Sequence, residues 1–215
     1  SRDVVYEIIR PATQKMRNQR YLDLVPASEV GPASVYVVHA WGAPFQCLVE
    51  CLEEAGMPAS TRYYVDFIVE SQWVVPPRPA EWWHSTIPGR IRAVGQTLLA
   101  LSRWPEPQAL TRRWCLFELY VTAVVSAHFH VHLPPTFRRA LQHELATDLP
   151  GAQLRVNAIS FSRALCAVEE DKERLTHATE ALAGSVMALD QTVRQLLTSA
   201  MTKAAANATP VRPES

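Results

Sequence analysis

Three features of the sequence predict an α/β fold built on a five-stranded, mostly parallel sheet with helices on both faces. Short apolar runs rich in β-branched and aromatic residues recur along the chain, stretches of helical spacing separate them, and most connections are short. Parallel neighbours need a crossover between them, so each intervening helix is expected to cover a strand.

Residues 3–10 are expected to form a short helix stopped by Pro11, and Tyr21, Leu22, Leu24 and Val25 give a small apolar patch before Pro26, so 1–33 reads as a lead-in segment. The first strand is expected at 34–39, where Val35, Val37 and Val38 mark a run buried on both faces. Phe45, Leu48, Val49 and Leu52 predict a helix over 45–55, with Gly56 placed to end it. The second strand is expected at 62–69. Residues 70–85 hold Pro76, Pro77 and Pro79 among Trp73, Trp82 and Trp83, too proline-rich for a regular element, and read as a loop. A short helix over 86–94 leads to a third strand at 96–102, and Thr111 is placed to cap a helix running to about Ser126. A fourth strand at 128–133, a helix at 136–146 and a fifth strand at 154–160 complete the domain proper, 34–170. Beyond it, Leu175, Leu182, Val186, Leu189, Val193 and Leu196 recur at helical spacing over 171–203 with a break at Gly184, which predicts two helices packed on the domain. The small residues and prolines of 204–215 read as a disordered tail.

Composition narrows the function classes. The 215 residues are 48% apolar, enough for one large core, and Lys+Arg equals Asp+Glu at 21 each. No net charge therefore draws the chain to nucleic acid or an anionic membrane, and neither is predicted as a partner. Cys47, Cys51, Cys115 and Cys166 lie within or beside apolar segments without a paired extracellular spacing, and no apolar run is long enough to span a bilayer. A cytoplasmic protein with reduced thiols is expected. The 7 glycines form neither G-x-G nor G-x-x-x-x-G-K, so Rossmann and Walker phosphate cradles are not expected.

In open parallel sheets ligands bind beyond the carboxyl ends of the strands where the order reverses, which in a flavodoxin-like 2-1-3-4-5 sheet lies between strands one and three. Strand one ends in His39-Ala40-Trp41, strand three in Ser102-Arg103-Trp104, and strand two delivers Asp66. The helix after strand three carries a single charge between Trp114 and Ala127, Glu118. A helix apolar nearly all round is largely buried, and a lone carboxylate in such a helix is a functional candidate because desolvation disfavours its charge. Trp114 lies four residues earlier on the same face. The bland alternative is an ion pair of Glu118 with Arg92 or Arg103 that only anchors the helix.

Ser102 followed by Trp114-Cys115-Leu116-Phe117-Glu118-Leu119 resembles the strand-three-to-helix signature of TIR domains, whose plant members carry W-C-L-x-E-L with the glutamate needed for NAD cleavage. Val38-His39-Ala40-Trp41, Tyr64-Val65-Asp66, Leu99-Ala100-Leu101-Ser102 with Trp104, and the tract from Leu110 to Leu119 also resemble TIR-like domains of algae and other protists. The resemblance implies a TIR-type fold, a role in signalling, and NAD or a related nucleotide as substrate with no bound cofactor. It also implies self-association through TIR–TIR contacts, the site being completed by a neighbouring protomer. Glu118 is the expected catalytic residue, with Trp114, His39, Trp41, Asp66, Ser102 and Trp104 binding substrate. Two departures stand out. The first strand ends in His39-Ala40-Trp41 instead of a serine-phenylalanine-arginine-glycine type of turn, and the segment after strand two lacks an acidic, glycine-containing stretch.

Cleaving NAD breaks the bond from ribose to a cationic nicotinamide through an oxocarbenium-like transition state, so a carboxylate on the ribose hydroxyls would orient the sugar and stabilise its charge. The pyridinium ring suits the face of Trp114 or Trp41. One alternative is a non-catalytic interaction module using Trp73, Trp82 and Trp83 as interface anchors. Another is an enzyme cleaving the N-glycosidic bond of a different nucleoside or nucleotide. His128, His130 and His132 alternate onto one strand face, but no cysteine or carboxylate accompanies them in sequence, and no metal is expected.

Overall fold

The strand Val35–His39 (β1) is buried along its whole length, because helices cover both of its faces. The structure is a computed structural model and describes residues 1–14, 19–73 and 80–206. Four strands, β1, Tyr63–Tyr64 (β2), Gln96–Ala100 (β3) and His128–His132 (β4), form one all-parallel sheet in the order β2-β1-β3-β4. Tyr36 is in register with Tyr64 on one side and Thr97 on the other, and Gln96 with His128.

Strand alternation divides the core in two. Val35, Val37, Leu98 and Ala100 face Leu48 and Cys51 of the helix Phe45–Glu54 (α1), together with Val5 and Ile9 of the N-terminal helical run. Tyr36, Val38 and Leu99 face the opposite layer. That layer contains Ala80–Val94 (α2), Arg113–Val124 (α3), Pro135–Thr147 (α4), Leu149–Asn157 (α5), Glu169–Ala183 (α6) and Val186–Ala206 (α7). From α6 and α7 this core takes Leu175, Leu189, Val193 and Leu197, with Leu182, Val186 and Leu196 packed against it. The break between the two helices falls at Gly184, whose φ of 73° is the left-handed conformation that glycine adopts without steric cost.

Several expectations are corrected. The fifth strand is not formed: Leu154 to Asn157 end the helix α5, where Ala152 and Val156, four residues apart, are buried on one face. The Asp148 side chain accepts the Gly151 N–H at 3.0 Å and starts that helix. The second strand stops at Tyr64, because Oδ1 of Asp66 takes the N–H of Phe67 at 2.8 Å and opens a helical turn, Asp66–Val69. Pro11 does not end the first helix. A π-turn at Val5–Ile9 changes the bonding register just ahead of it, and the chain continues helical as Arg10–Thr13. Helix α2 starts at Ala80 and runs through Pro88, flanked by the buried Ile87 and Ile91. Thr111 caps no helix: its hydroxyl donates to the Gln108 carbonyl within the 3-10 turn Gln108–Thr111, and α3 begins at Arg113, whose N–H bonds Leu165. Residues 74–79 of the expected loop and 207–215 of the expected tail lie outside the described residues; 204–206 are helical.

The four cysteines are free. No helix among the described residues is long and apolar enough to cross a membrane.

Candidate functional site

Helix α3 is buried at Cys115, Leu116, Phe117, Leu119, Tyr120 and Val121, as an element apolar nearly all round must be. Glu118 is half-buried among them. Neither Arg92 nor Arg103 meets it; the hydroxyl of Tyr36 on β1 donates to its Oε1 at 2.7 Å. Oε2 has no donor among the described residues. Burial pushes the Glu118 carboxyl up to about 8; the Tyr36 hydrogen bond opposes the rise and the negative Asp66 adds to it. At neutral pH the group is thus mostly a neutral acid, for which an Oε2 carrying the proton needs no donor. Burial and the neighbouring Glu118 in turn push the Tyr36 phenol well above its ordinary range.

A second layer surrounds this pair. The rings of Tyr36 and Tyr64 stack at 4.8 Å between centroids. The Arg90 guanidinium of α2 donates to the Tyr64 hydroxyl at 2.6 Å and pairs with Glu70 at 2.5 Å, and the Tyr64 hydroxyl donates to Glu70 at 3.1 Å. Arg90 also lies over the rings of Tyr64 and Trp82, at 5.5 and 5.6 Å. The Glu118–Tyr36 pair on α3 and β1 is therefore joined, through the stack of the two tyrosine rings, to a polar cluster of Tyr64 on β2, Glu70 just past the Asp66–Val69 turn and Arg90 on α2. Sequence reasoning missed Tyr36, Tyr64, Glu70 and Arg90. The available signal was chemical: a lone carboxylate in an apolar helix and a tyrosine inside a buried valine strand each need a polar partner.

None of the other expected site residues hydrogen-bonds the Glu118 carboxyl, although the charge of Asp66 reaches it. His39 and Trp41 lie on the opposite face of the sheet, both against Phe67. The Trp41 indole donates to Asp66 Oδ2 at 2.7 Å, and His39 Nε2, buried without a hydrogen bond, is 3.9 Å from Asp66 Oδ1. Burial lowers the His39 pKa against the pull of Asp66, which favours a neutral imidazole. Asp66 is the link between the faces, since its charge acts on both His39 and Glu118. Ser102 is buried just past β3. Trp104 is buried as well, its indole donating to Glu144 on α4 at 2.6 Å. Trp114 is half-buried, with its indole 3.3 Å from Asp171 at the start of α6. Arg113 beside it is a buried staple: its guanidinium bonds the carbonyls of Ser162 and Ala164 and the Thr176 hydroxyl, and covers the Phe161 ring at 5.0 Å.

Trp73, expected as an exposed anchor, donates its indole N–H to Thr13 at 2.8 Å under the Arg10 guanidinium, and Trp82 packs against the core. His130 and His132 lie 6.3 Å apart on β4, and the described residues hold no group of three metal-ligating side chains. A cavity of about 550 Å³ opens beyond β3, lined by none of the residues around Glu118. Comparison with protein-family models, with curated proteins and with solved structures returns no match to this chain.

Proposed function

We propose that the chain is a flavodoxin-like, TIR-like domain that cleaves the nicotinamide–ribose bond of NAD at Glu118. One observation carries the reading: a carboxyl lifted to about 8 by burial, held at Oε1 by Tyr36 and without a donor at Oε2 among the described residues. The resemblance of Trp114 to Leu119 to the plant tract supports it. A cationic pyridinium brought beside the Glu118 carboxyl favours its ionised form, so substrate binding and proton loss are coupled. The carboxylate then accepts the ribose hydroxyls and faces the developing oxocarbenium charge. The C–N bond electrons leave with neutral nicotinamide, water adds to the sugar carbon and loses a proton to solvent, and ADP-ribose results. Self-association belongs to the same reading, with turnover rising faster than protein concentration.

The same pKa favours a second reading. A carboxyl that is mostly protonated at pH 7 can donate to the leaving base of an uncharged nucleoside, which NAD cleavage does not require. The pH profile separates the two. Chromatography of products from NAD and from inosine between pH 6 and 9 should show nicotinamide release rising about tenfold per unit before levelling near the Glu118 pKa. Glu118→Gln should lose roughly a hundredfold or more of it. Inosine cleavage that falls as pH rises, with NAD intact, transfers the assignment to the second reading. Concentrated protein that cleaves neither removes the enzymatic assignment, and equal activity in Glu118→Gln removes Glu118 from it.

A further inference from the structure

The cavity beyond the carboxyl end of β3 is lined by neither Glu118 nor its partners Tyr36, Tyr64, Glu70 and Arg90. Its volume, about 550 Å³, falls within the range of small-molecule sites, about 300–1,000 Å³. Two stretches far apart in sequence enclose it, 103–111 after β3 and 155–164 at the end of α5. Trp104, Leu110 and Ile159 contribute buried apolar surface, and Arg103, Arg155 and Arg163 are exposed around it. Glu106 is the single carboxylate in the lining, so cationic groups outnumber anionic ones three to one.

The arginines are not equivalent. Arg155 is engaged with Glu144 at 3.0 Å, and the other oxygen of Glu144 receives the Trp104 indole, so one carboxylate from α4 fixes two walls of the cavity. Arg163 spends one amino group on the Ala158 carbonyl at 2.8 Å and keeps its remaining donors. Arg103 makes no ion pair among the described residues. Two guanidinium groups with donors to spare, above an apolar, aromatic-walled floor, are the chemistry that recognises an organic anion.

We infer that this cavity is a binding site for a small organic anion, with an apolar planar body against Trp104, Leu110 and Ile159 and a carboxylate or phosphate held by Arg103 and Arg163. Glu144 is a positioning residue that keeps Trp104 and Arg155 in place. The site is separate from the proposed chemistry at Glu118 and stands without it.

Ligand-observed NMR titrations of the full chain with 2-naphthoate, 2-naphthyl phosphate and uncharged 2-naphthol test this. At least one anion should bind about tenfold or more tighter than 2-naphthol. Whichever does names the headgroup class, and both doing so means that charge alone is read. Arg103→Gln should weaken anion binding roughly tenfold with an unchanged melting temperature, because the side chain is exposed and supports nothing else. Ala158→Phe, which places a ring at the exposed Ala158 of the lining, should abolish binding in a folded protein with normal circular dichroism. Three results overturn the inference: no anion binding, 2-naphthol binding as tightly as the anions, or anion affinity untouched by both substitutions.

Discussion

Glu118 binds its proton much more tightly in the folded chain than an exposed glutamate does, and that difference is a stability term. The folded carboxyl titrates at about 8 against 4.5 for the ordinary group. Between those values the native state holds a proton that the unfolded chain has lost, so stability falls as pH rises through this window. The contribution is complete below the lower value and gone above the upper one. Its size, discounted for the half-open position of the side chain, is on the order of 3 kcal/mol. Thermal melts of wild type and Glu118→Gln from pH 5 to 9 should therefore diverge, wild type losing stability toward pH 9 relative to the variant. Parallel curves would show that Glu118 is already ionised in the folded protein. Tyr36→Phe removes the hydrogen bond that lowers the Glu118 pKa, so the same step should move to higher pH; an unmoved step would mean that Tyr36 does not stabilise the carboxylate.

At the scale of elements, α6 and α7 are part of the core. Leu175, Leu189 and Val193 are fully buried against the layer that contains α3, and the Tyr120 hydroxyl of α3 donates to the Leu182 carbonyl at 2.9 Å. Removing both helices would uncover the face of α3 that places Glu118, so a chain ending at Glu170 should fail to fold. A cooperative melt at the wild-type temperature would show instead that the helices form an independent arm. Point changes should grade the effect. Leu189→Ala should cost about 2–5 kcal/mol through a cavity. Gly184→Ala should cost only about 1–2 kcal/mol, because no atom beyond its two chain neighbours stands within 4 Å of the added methyl and the penalty is mainly the left-handed backbone. Urea unfolding of the two variants checks the order; a Gly184→Ala loss as large as that of Leu189→Ala would contradict it.

For the whole molecule, the sequence by itself determined what depends on neighbours a few residues apart. Apolar runs and helical spacing located the four parallel strands and the main helices, the leucine pattern after Asp171 located α6 and α7, and a single charge between Trp114 and Ala127 marked Glu118. Local patterns failed where tertiary contacts outweighed them. Leu154 to Asn157 read as a strand until α5 buried Ala152 and Val156 on one helical face, and residues 80–85, read as part of a proline-rich loop, form the first turns of α2. The expected crevice also divided, because side-chain alternation sends His39 to one face of β1 and Tyr36 to the other. Only the tertiary structure decided that Tyr36, 82 residues away in sequence, is the partner of Glu118, and that the 103–111 and 155–164 stretches enclose a cavity. The reason is physical: a pKa near 8 and a hydrogen bond across the core depend on which distant groups share one low-dielectric neighbourhood, three arginines meet at one cavity only where two distant segments come together at the surface, and packing of the layers sets both.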